Sequence, residues 1–461
     1  MPLQSGNFKA EVSAALDNKD TARVKAVLAQ GLASDLAPVL AELSAGRLGE
    51  LFRHCSPELA AAVFAYLEQP AKEKLFRTLP QAQTAALLNA LSPDDRTAFL
   101  HRLPLELSVQ ILGLLSPEER RISEELLAYP PHSVGRMMTL DFVTVRPEWT
   151  VREALDYIRA HGVDRETLSI VYVTDPAGRL LDDVRVRRFL LADPTTRVAA
   201  LMDGNFATLR PEDDRERALA VFRQYDRNAL PVTGPENELI GIVTADDMLD
   251  VAAEEATEDI QKLGGTEALD EPYTTIGLGK MVKKRAGWLV VLFLGEMLTA
   301  TAMSYFEDEI AKAVVLALFV PLIISSGGNA GSQAATLVIR AMALGEVSLG
   351  RWWLVMRREL AAGLLLGLIL GVIGFGRIVL WAQFSGIYGE HYLLLAGTVG
   401  LALVGVVLWG SLMGSMLPLG LKRLGFDPAT SSAPFVATLV DVTGLVIYFS
   451  VAFLLLRGTL L

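Results

Sequence analysis

"SSGGNAGSQAAT", residues 325–336, stands where the chain has become almost wholly apolar, yet it offers hydroxyls, glycines, an asparagine and a glutamine. Glycines let backbones approach one another or a passing ion. Asn329 and Gln333, four apart, share one helical face with amide oxygens available as ligands. Polar groups and irregular backbone at membrane depth are tolerated only where protein or a water-filled cavity covers them. Two readings follow: the stretch lines an aqueous path, or it packs helices through small residues. A hydrolytic reading is weaker. None of the histidines (His54, His101, His132, His161, His391) lies in an apolar run, so a serine here has no imidazole base beside it.

Apolar runs of about 20 residues are long enough to cross a bilayer as helices. Five occur: "AGWLVVLFLGEMLTATAMSYF" from Ala286, "AVVLALFVPLIISS" from Ala313 into the stretch above, "AAGLLLGLILGVIGFGRIVL" from Ala361, "YLLLAGTVGLALVGVVLWGSLMG" from Tyr392, and "FVATLVDVTGLVIYFSVAFLLL" from Phe435. Lys283, Lys284 and Arg285 precede the first, Arg351, Arg357 and Arg358 separate the second from the third, and Lys422 and Arg423 separate the fourth from the fifth. The other loops, "EDEIAK" and "WAQFSGIYGEH", are poor in basic residues, so the N-terminus is expected inside and the C-terminus outside. The start, "MPLQSGNFKAEVSAALDNKD", shows no apolar signal core, so the soluble part is expected to stay in the cytoplasm.

Two carboxylates interrupt the spans, Glu296 and Asp441. Each costs at least ~2.5 kcal/mol near the bilayer centre unless it meets water, a cation or a partner. Asp441 is the sharper candidate for an ion ligand, with a protonated interhelical hydrogen bond as its plain alternative. Glu296 fits a helix contact or a cavity mouth equally well. Carboxylate, amide and carbonyl oxygens without thiolate or imidazole suit a hard cation such as magnesium or calcium. One chain supplies too few polar groups for a closed filter, so a homodimer is expected. The single cysteine, Cys55, leaves no internal disulfide.

The 461 residues carry a net charge of -11 and are 51% hydrophobic, which suggests a membrane part joined to an acidic soluble part. Leu79, Leu91, Leu103 and Leu115 recur every twelve residues, each followed closely by a proline. Proline at the first turn after a serine cap starts a helix, so residues 1–130 read as short helices stacked into a superhelix. A repeat follows in 131–255. "VGRMMTLDFVTVRPEWTVREAL" from Val134 aligns with "VAALMDGNFATLRPEDDRERAL" from Val198. Each copy continues through a helix into strands, and the arrangement resembles a tandem CBS pair. "GIVTADD", 241–247, resembles the turn by which some CBS domains bind ATP or another adenosine nucleotide. By that resemblance Thr244 and Asp247 would meet phosphate and ribose. The first copy reads "LLDDVRVRRF" there and departs from the pattern. An acidic stretch, "TADDMLDVAAEEATEDIQKLGG", leads toward a connecting region at 256–285 and the spans of 286–461. Its like charges at i and i+4 need solvent or bridging cations.

An all-α superhelix, an α/β CBS pair and a five-helix transmembrane domain carrying "PLIISSGGNAGSQAATLVI" and "PFVATLVDVTGLVIYFSVA" together resemble the MgtE family of magnesium channels. The resemblance implies a homodimer in the cell membrane that catalyses no chemical reaction. Asp441 would hold hydrated magnesium on the dimer axis, with Asn329 and the backbone near Ala437 lining the site. It also implies closure by cytosolic Mg2+ at regulatory carboxylates matched by Asp95 (with Asp94 as the alternative register), Asp214, Glu216, Asp226, Asp247, Asp250, Glu255, Glu258, Asp259 and Asp427. Two other readings remain open: a less selective divalent-cation transporter, and a nucleotide receptor that the spans merely anchor.

Overall fold

Helices begin at Pro57, Gln69, Gln81, Pro93, Leu105 and Pro117, one every twelve residues, in a computed structural model that describes residues 14–18, 20–28, 31–163, 165–274 and 276–460. The period has a local cause. Ser56 and Ser116 accept backbone hydrogen bonds at 3.2 and 3.3 Å from Leu59 and Glu119, and the prolines that follow occupy the first helical turn. Such caps contribute about 1 kcal/mol each. Leu91 and Leu115 of the twelve-residue series lie in the superhelix core, and Leu79 and Leu103 pack against it. Buried Arg96 of α1 (Pro93–His101) reaches Ser123 of α2 (Pro117–Ala128) at 2.9 Å, the carbonyls of Leu88 and Leu91, and Glu119. This satisfies a guanidinium that would be costly to bury alone.

The repeat becomes two small sheets. In the first, β1 (Thr144–Val145) runs parallel to β2 (Ile170–Thr174), which pairs antiparallel with β3 (Leu180–Arg185) and sets Tyr172 opposite Asp183. A Thr150–Glu153 capping box starts the intervening helix α3 (Val151–His161). In the second, α4 (Arg215–Tyr225) precedes the hairpin of β4 (Ala229–Thr233) and β5 (Leu239–Thr244). The copies interlock. Thr139, ahead of the first sheet, exchanges two 2.9 Å backbone hydrogen bonds with Ile242 of β5, and Leu239 donates to Gly178 at 3.0 Å. Leu126 of α2 enters the apolar cluster of the second copy, so superhelix and pair share packing.

The chain divides into two units, Met1–Glu255 and Ala256–Leu461, and α5 (Ala245–Leu263) begins in one and ends in the other. Among the described residues the second unit holds five helices long and apolar enough to cross a membrane: α6 (Leu278–Tyr305), α7 (Val320–Ala343, preceded by a 3-10 segment from Val314), α8 (Trp352–Ala382), α9 (Tyr392–Arg423) and α10 (Ala433–Leu456). The first starts eight residues before the apolar run at Ala286, because "LGKMVKKR" continues the helix. "SSGGNAGSQAAT" is regular helix within α7. A methyl group on Gly410 or Gly414 of α9 would run into the carbonyl oxygens of Gly327 and Gly331. The small-residue reading therefore accounts for two of its glycines, where backbones touch. Gly363, Gly367 and Gly371 of α8 make a similar ridge against α9.

Candidate functional site

Asp441 lies two turns into α10, about 12 Å from its Ala433 end at 1.5 Å per residue. Gly328 of α7 opens the space beside it. A methyl group there would come within 3.4 Å of both Asp441 Oδ1 and the Ala437 Cβ. Ala437 and Asp441, four apart, thus share the face turned toward α7. Among the described residues the Asp441 carboxylate has no hydrogen-bond or ion-pair partner. Glu296 of α6 is exposed and acts on Asp441 electrostatically. It lies roughly 16 Å along the helix from Arg285, a depth similar to that of Asp441.

The polar side chains of α7 point elsewhere than its glycines. Ser325, Asn329, Gln333 and Thr336 are exposed, and the Asn329 amide donates to Ser325 Oγ at 3.3 Å. The chain thus carries a polar stripe down an otherwise apolar surface. Ser332 Oγ donates to the Ala433 carbonyl at 3.1 Å, and Trp409 Nε1 donates to Thr443 Oγ1 at 2.8 Å, fixing α7 and α9 against α10.

In the cytosolic unit, Asp94 and Asp95 of α1 meet Asp246, Asp247 and Asp250 of α5, with Glu166 beside them. Asp94 Oδ1 is sealed from solvent and has no hydrogen-bond partner among the described residues. Burial, then the charges of Asp95 and Glu166, push the Asp94 carboxyl up to about 7. Burial and the Asp94 charge push Asp247 up to about 8. Asp250 is raised by burial and by Glu254, and Glu166 by burial and by Asp246. Asp94 is the more deeply placed of the two α1 candidates. Glu166, in the loop after α3, has no local sequence pattern that marks it; only folding brings it to α1 and α5.

The other sequence candidates are placed differently. Asp214 caps α4 by accepting from the Glu216 amide at 2.8 Å, and Asp226 ends that helix in the left-handed region at φ 49°. Glu255 meets Arg215 at 2.5 Å, while Glu254 meets Arg102 at 2.7 Å and Arg215 at 2.8 Å. Lys262 joins Glu258 at 2.5 Å to Asp427 at 2.6 Å. Burial works to lower the Lys262 pKa, but the hydrogen bonds it donates to Asp427 and Glu258 carry it above the usual lysine range. Asp259 lies between these contacts on α5. Among the described residues no three His, Cys, Asp or Glu side chains stand close enough to hold a metal ion by themselves.

Thr244 and Asp247 are hydrogen-bonded to one another at 2.9 Å, with Thr244 buried. The polar cleft of the pair opens at the first copy instead. Asp183, Arg185, Arg187, Arg188, Asp203, Asn205, Tyr225 and Arg227 enclose about 480 Å³. Among the described residues the buried Tyr172 hydroxyl has no hydrogen-bond partner, and Asp183 lies 3.3 Å from Arg227 yet accepts no hydrogen bond. Burial pushes Asp183 up to about 6 against the pull of Arg227. The departure of "LLDDVRVRRF" from the nucleotide pattern is what supplies this cleft with three of its arginines.

A family model described as MgtE, divalent cation transporter, matches residues 320–451. The MgtE intracellular N domain matches 33–132, and the CBS domain matches 134–193 and 198–254. The magnesium transporter MgtE of Thermus thermophilus is 42% identical over 335 residues, 73% of this chain and 72% of its own length. The chain belongs to the MgtE family. Two crystal structures resemble the MgtE cytosolic part. The soluble part of a magnesium transporter covers 55% of this chain and all of its own, at a TM-score of 0.53 and 26% identity. The cytosolic domain of the Mg2+ channel MgtE in complex with ATP covers 53% of this chain and 99% of its own, at 0.51 and 32%.

Proposed function

We propose that this protein is a magnesium-selective channel of the cell membrane that works as a homodimer and is closed by cytosolic Mg2+. The observation that carries the reading is Asp441: a carboxylate at membrane depth, beside a glycine-made opening, with no protein partner among the described residues. A group so placed needs water or a cation. Two copies facing each other across an axis would hold Mg2+ through its hydration shell, since magnesium gives up water reluctantly. Asn329 and the Ala437 backbone would hydrogen-bond those waters. The exposed stripe of Ser325, Asn329 and Gln333 supports the dimer, because lipid cannot satisfy it while a partner and an aqueous axis can. With the N-terminal domain in the cytoplasm, five crossings put the C-terminus outside.

The sensor follows from the acidic contact between α1 and α5. Asp94, Asp95, Asp247 and Asp250 repel one another in this fold, and a bridging hydrated Mg2+ would turn that repulsion into attraction. Asp214, Glu216, Asp226, Glu255, Glu258, Asp259 and Asp427 would join as the cytosolic unit, its partner and the membrane unit close together. The cleft of Asp183, Arg185, Arg187, Arg188 and Arg227 is the place for an adenosine nucleotide, whose phosphates would meet the arginines. Uptake of Mg2+ into liposomes tests the channel reading. Wild-type protein should carry Mg2+ and the Asp441→Ala variant should not. Equal flux from both would overturn the assignment of Asp441, and no flux from wild type would favour an anchored receptor.

A further inference from the structure

Val338 and Met342 of α7, Val355 of α8 and Leu419 of α9 form an apolar knot that ties the cytoplasmic ends of three helices together. Around it stand Arg340, Arg351, Arg357, Arg358, Lys422 and Arg423, all exposed. None of the six has an ion-pair partner among the described residues, and the segments between them carry only Glu346 and Glu359 in opposition. The site differs from a solvated basic loop in what adjoins it. Trp352 and Trp353 are 49% and 58% exposed, with ring centroids 5.7 Å apart, at the level where tryptophans settle in a membrane interface. Arg358 lies on the same face of α8 as Leu365, Ile369 and Val372, which are 62%, 57% and 71% exposed. The surface thus presents, in order, indole rings, guanidinium groups and an apolar column running into the hydrocarbon.

We propose that this end of the bundle binds an anionic phospholipid of the inner leaflet. Arg357 and Arg358 hold the phosphate, the tryptophans lie on its headgroup side, toward the cytoplasm, and an acyl chain follows Leu365 to Val372. A guanidinium presents paired donors that match phosphate oxygens. A soluble phosphate would leave the apolar column unused, which favours the lipid as source. The site holds whether or not the chain carries magnesium, since it needs only the orientation of α8.

Native mass spectrometry of the full chain in detergent, titrated separately with phosphatidylglycerol and phosphatidylcholine, tests it. Wild type should prefer the anionic lipid. Each basic residue near a membrane surface is worth about a fivefold change in affinity. The preference should therefore fall about fivefold for Arg358→Gln and further for the Arg357→Gln, Arg358→Gln pair. Arg357→Lys with Arg358→Lys should keep most of it, and Arg285→Gln, on the first span, should leave it unchanged. Millimolar inorganic phosphate should not displace the lipid. Equal affinity for both lipids in wild type, an unchanged preference in the double glutamine variant, or displacement by phosphate would each overturn the proposal. A lysine pair as weak as the glutamine pair would do the same for the arginine–phosphate contact.

Discussion

Replacing Asp94 by Asn should stabilise the cytosolic unit in the absence of divalent cations, although it removes a charged group from a folded domain. The Asp94 carboxyl is raised from 3.8 to about 7 because it is buried beside Asp95 and Glu166, and Asp247 is raised to about 8 for the same kind of reason. A carboxyl whose folded pKa lies above its unfolded value makes the fold lose stability as pH rises between the two, and the loss stays constant above the folded value. At about 1.36 kcal/mol per unit the Asp94 shift has a ceiling of ~4 kcal/mol. The Asp94 charge also raises Asp247, so the two shifts are not independent, and part of the Asp94 residue still touches solvent, which brings the expected gain to about 2 kcal/mol. For a unit of this size that is a rise in Tm of about 4–8 °C at pH 8 in chelator. At pH 5 the two proteins should melt closer together. Millimolar Mg2+ should raise the wild-type Tm and narrow its dependence on pH, and should do much less for the variant. Differential scanning fluorimetry across pH, with and without Mg2+, reads all of this. A variant that melts at or below wild type at pH 8 without metal would refute the claim that the contact between α1 and α5 is strained by its own charge.

Three further outcomes follow from the membrane unit. Glu296→Gln should keep transport but lower Mg2+ flux a few-fold at low ionic strength, with the difference fading in high salt, because a charge acting through space on Asp441 concentrates cations there; electrophysiology at two salt concentrations decides it. Gly331→Ala and Gly414→Ala should each destabilise the bundle by about 2 kcal/mol or more, since the Gly414 methyl would run into the Gly331 carbonyl and the Gly331 methyl into the Val436 side chain and the Gly410 carbonyl; size-exclusion recovery after heating would show it, and wild-type recovery would count against the packing account. Lys262→Gln should release Glu258 and Asp427 to take a cation, so half-closure should come at lower cytosolic Mg2+ than in wild type. Closure at higher Mg2+ would mean the lysine itself is part of the closed state.

Much of this fold is written in local pattern. The Ser-Pro starts and the leucine period announce stacked helices, and twenty-residue apolar runs announce spans, because caps and hydrophobic lengths act on neighbouring residues. Family membership was likewise legible, since long apolar segments with unusual polar content are distinctive. Long-range placement was not. "SSGGNAGSQAAT" carries both a packing face and a polar face, and only the positions of α9 and α10 assign Gly327 and Gly331 to one role and Gly328 to another. Asp214 and Asp226 look like sensor carboxylates in sequence, yet within one chain they act as helix ends. The arginine-lined cleft was hidden for a related reason: three of its arginines come from the copy whose motif is degenerate, and Asp203, Asn205, Tyr225 and Arg227 come from the other copy, with Tyr225 at the end of α4.

The crossing of Thr139 to Ile242 bears on how the CBS pair behaves as a piece of chain. Severed near residue 197, each half would leave an unsatisfied strand edge, because the leading segment of the first copy finishes the sheet of the second. Neither half is a free-standing module that could be grafted, truncated or melted by itself. A ligand seated at one copy therefore pulls on both, and α5, which issues directly from β5, inherits that pull without any intervening hinge.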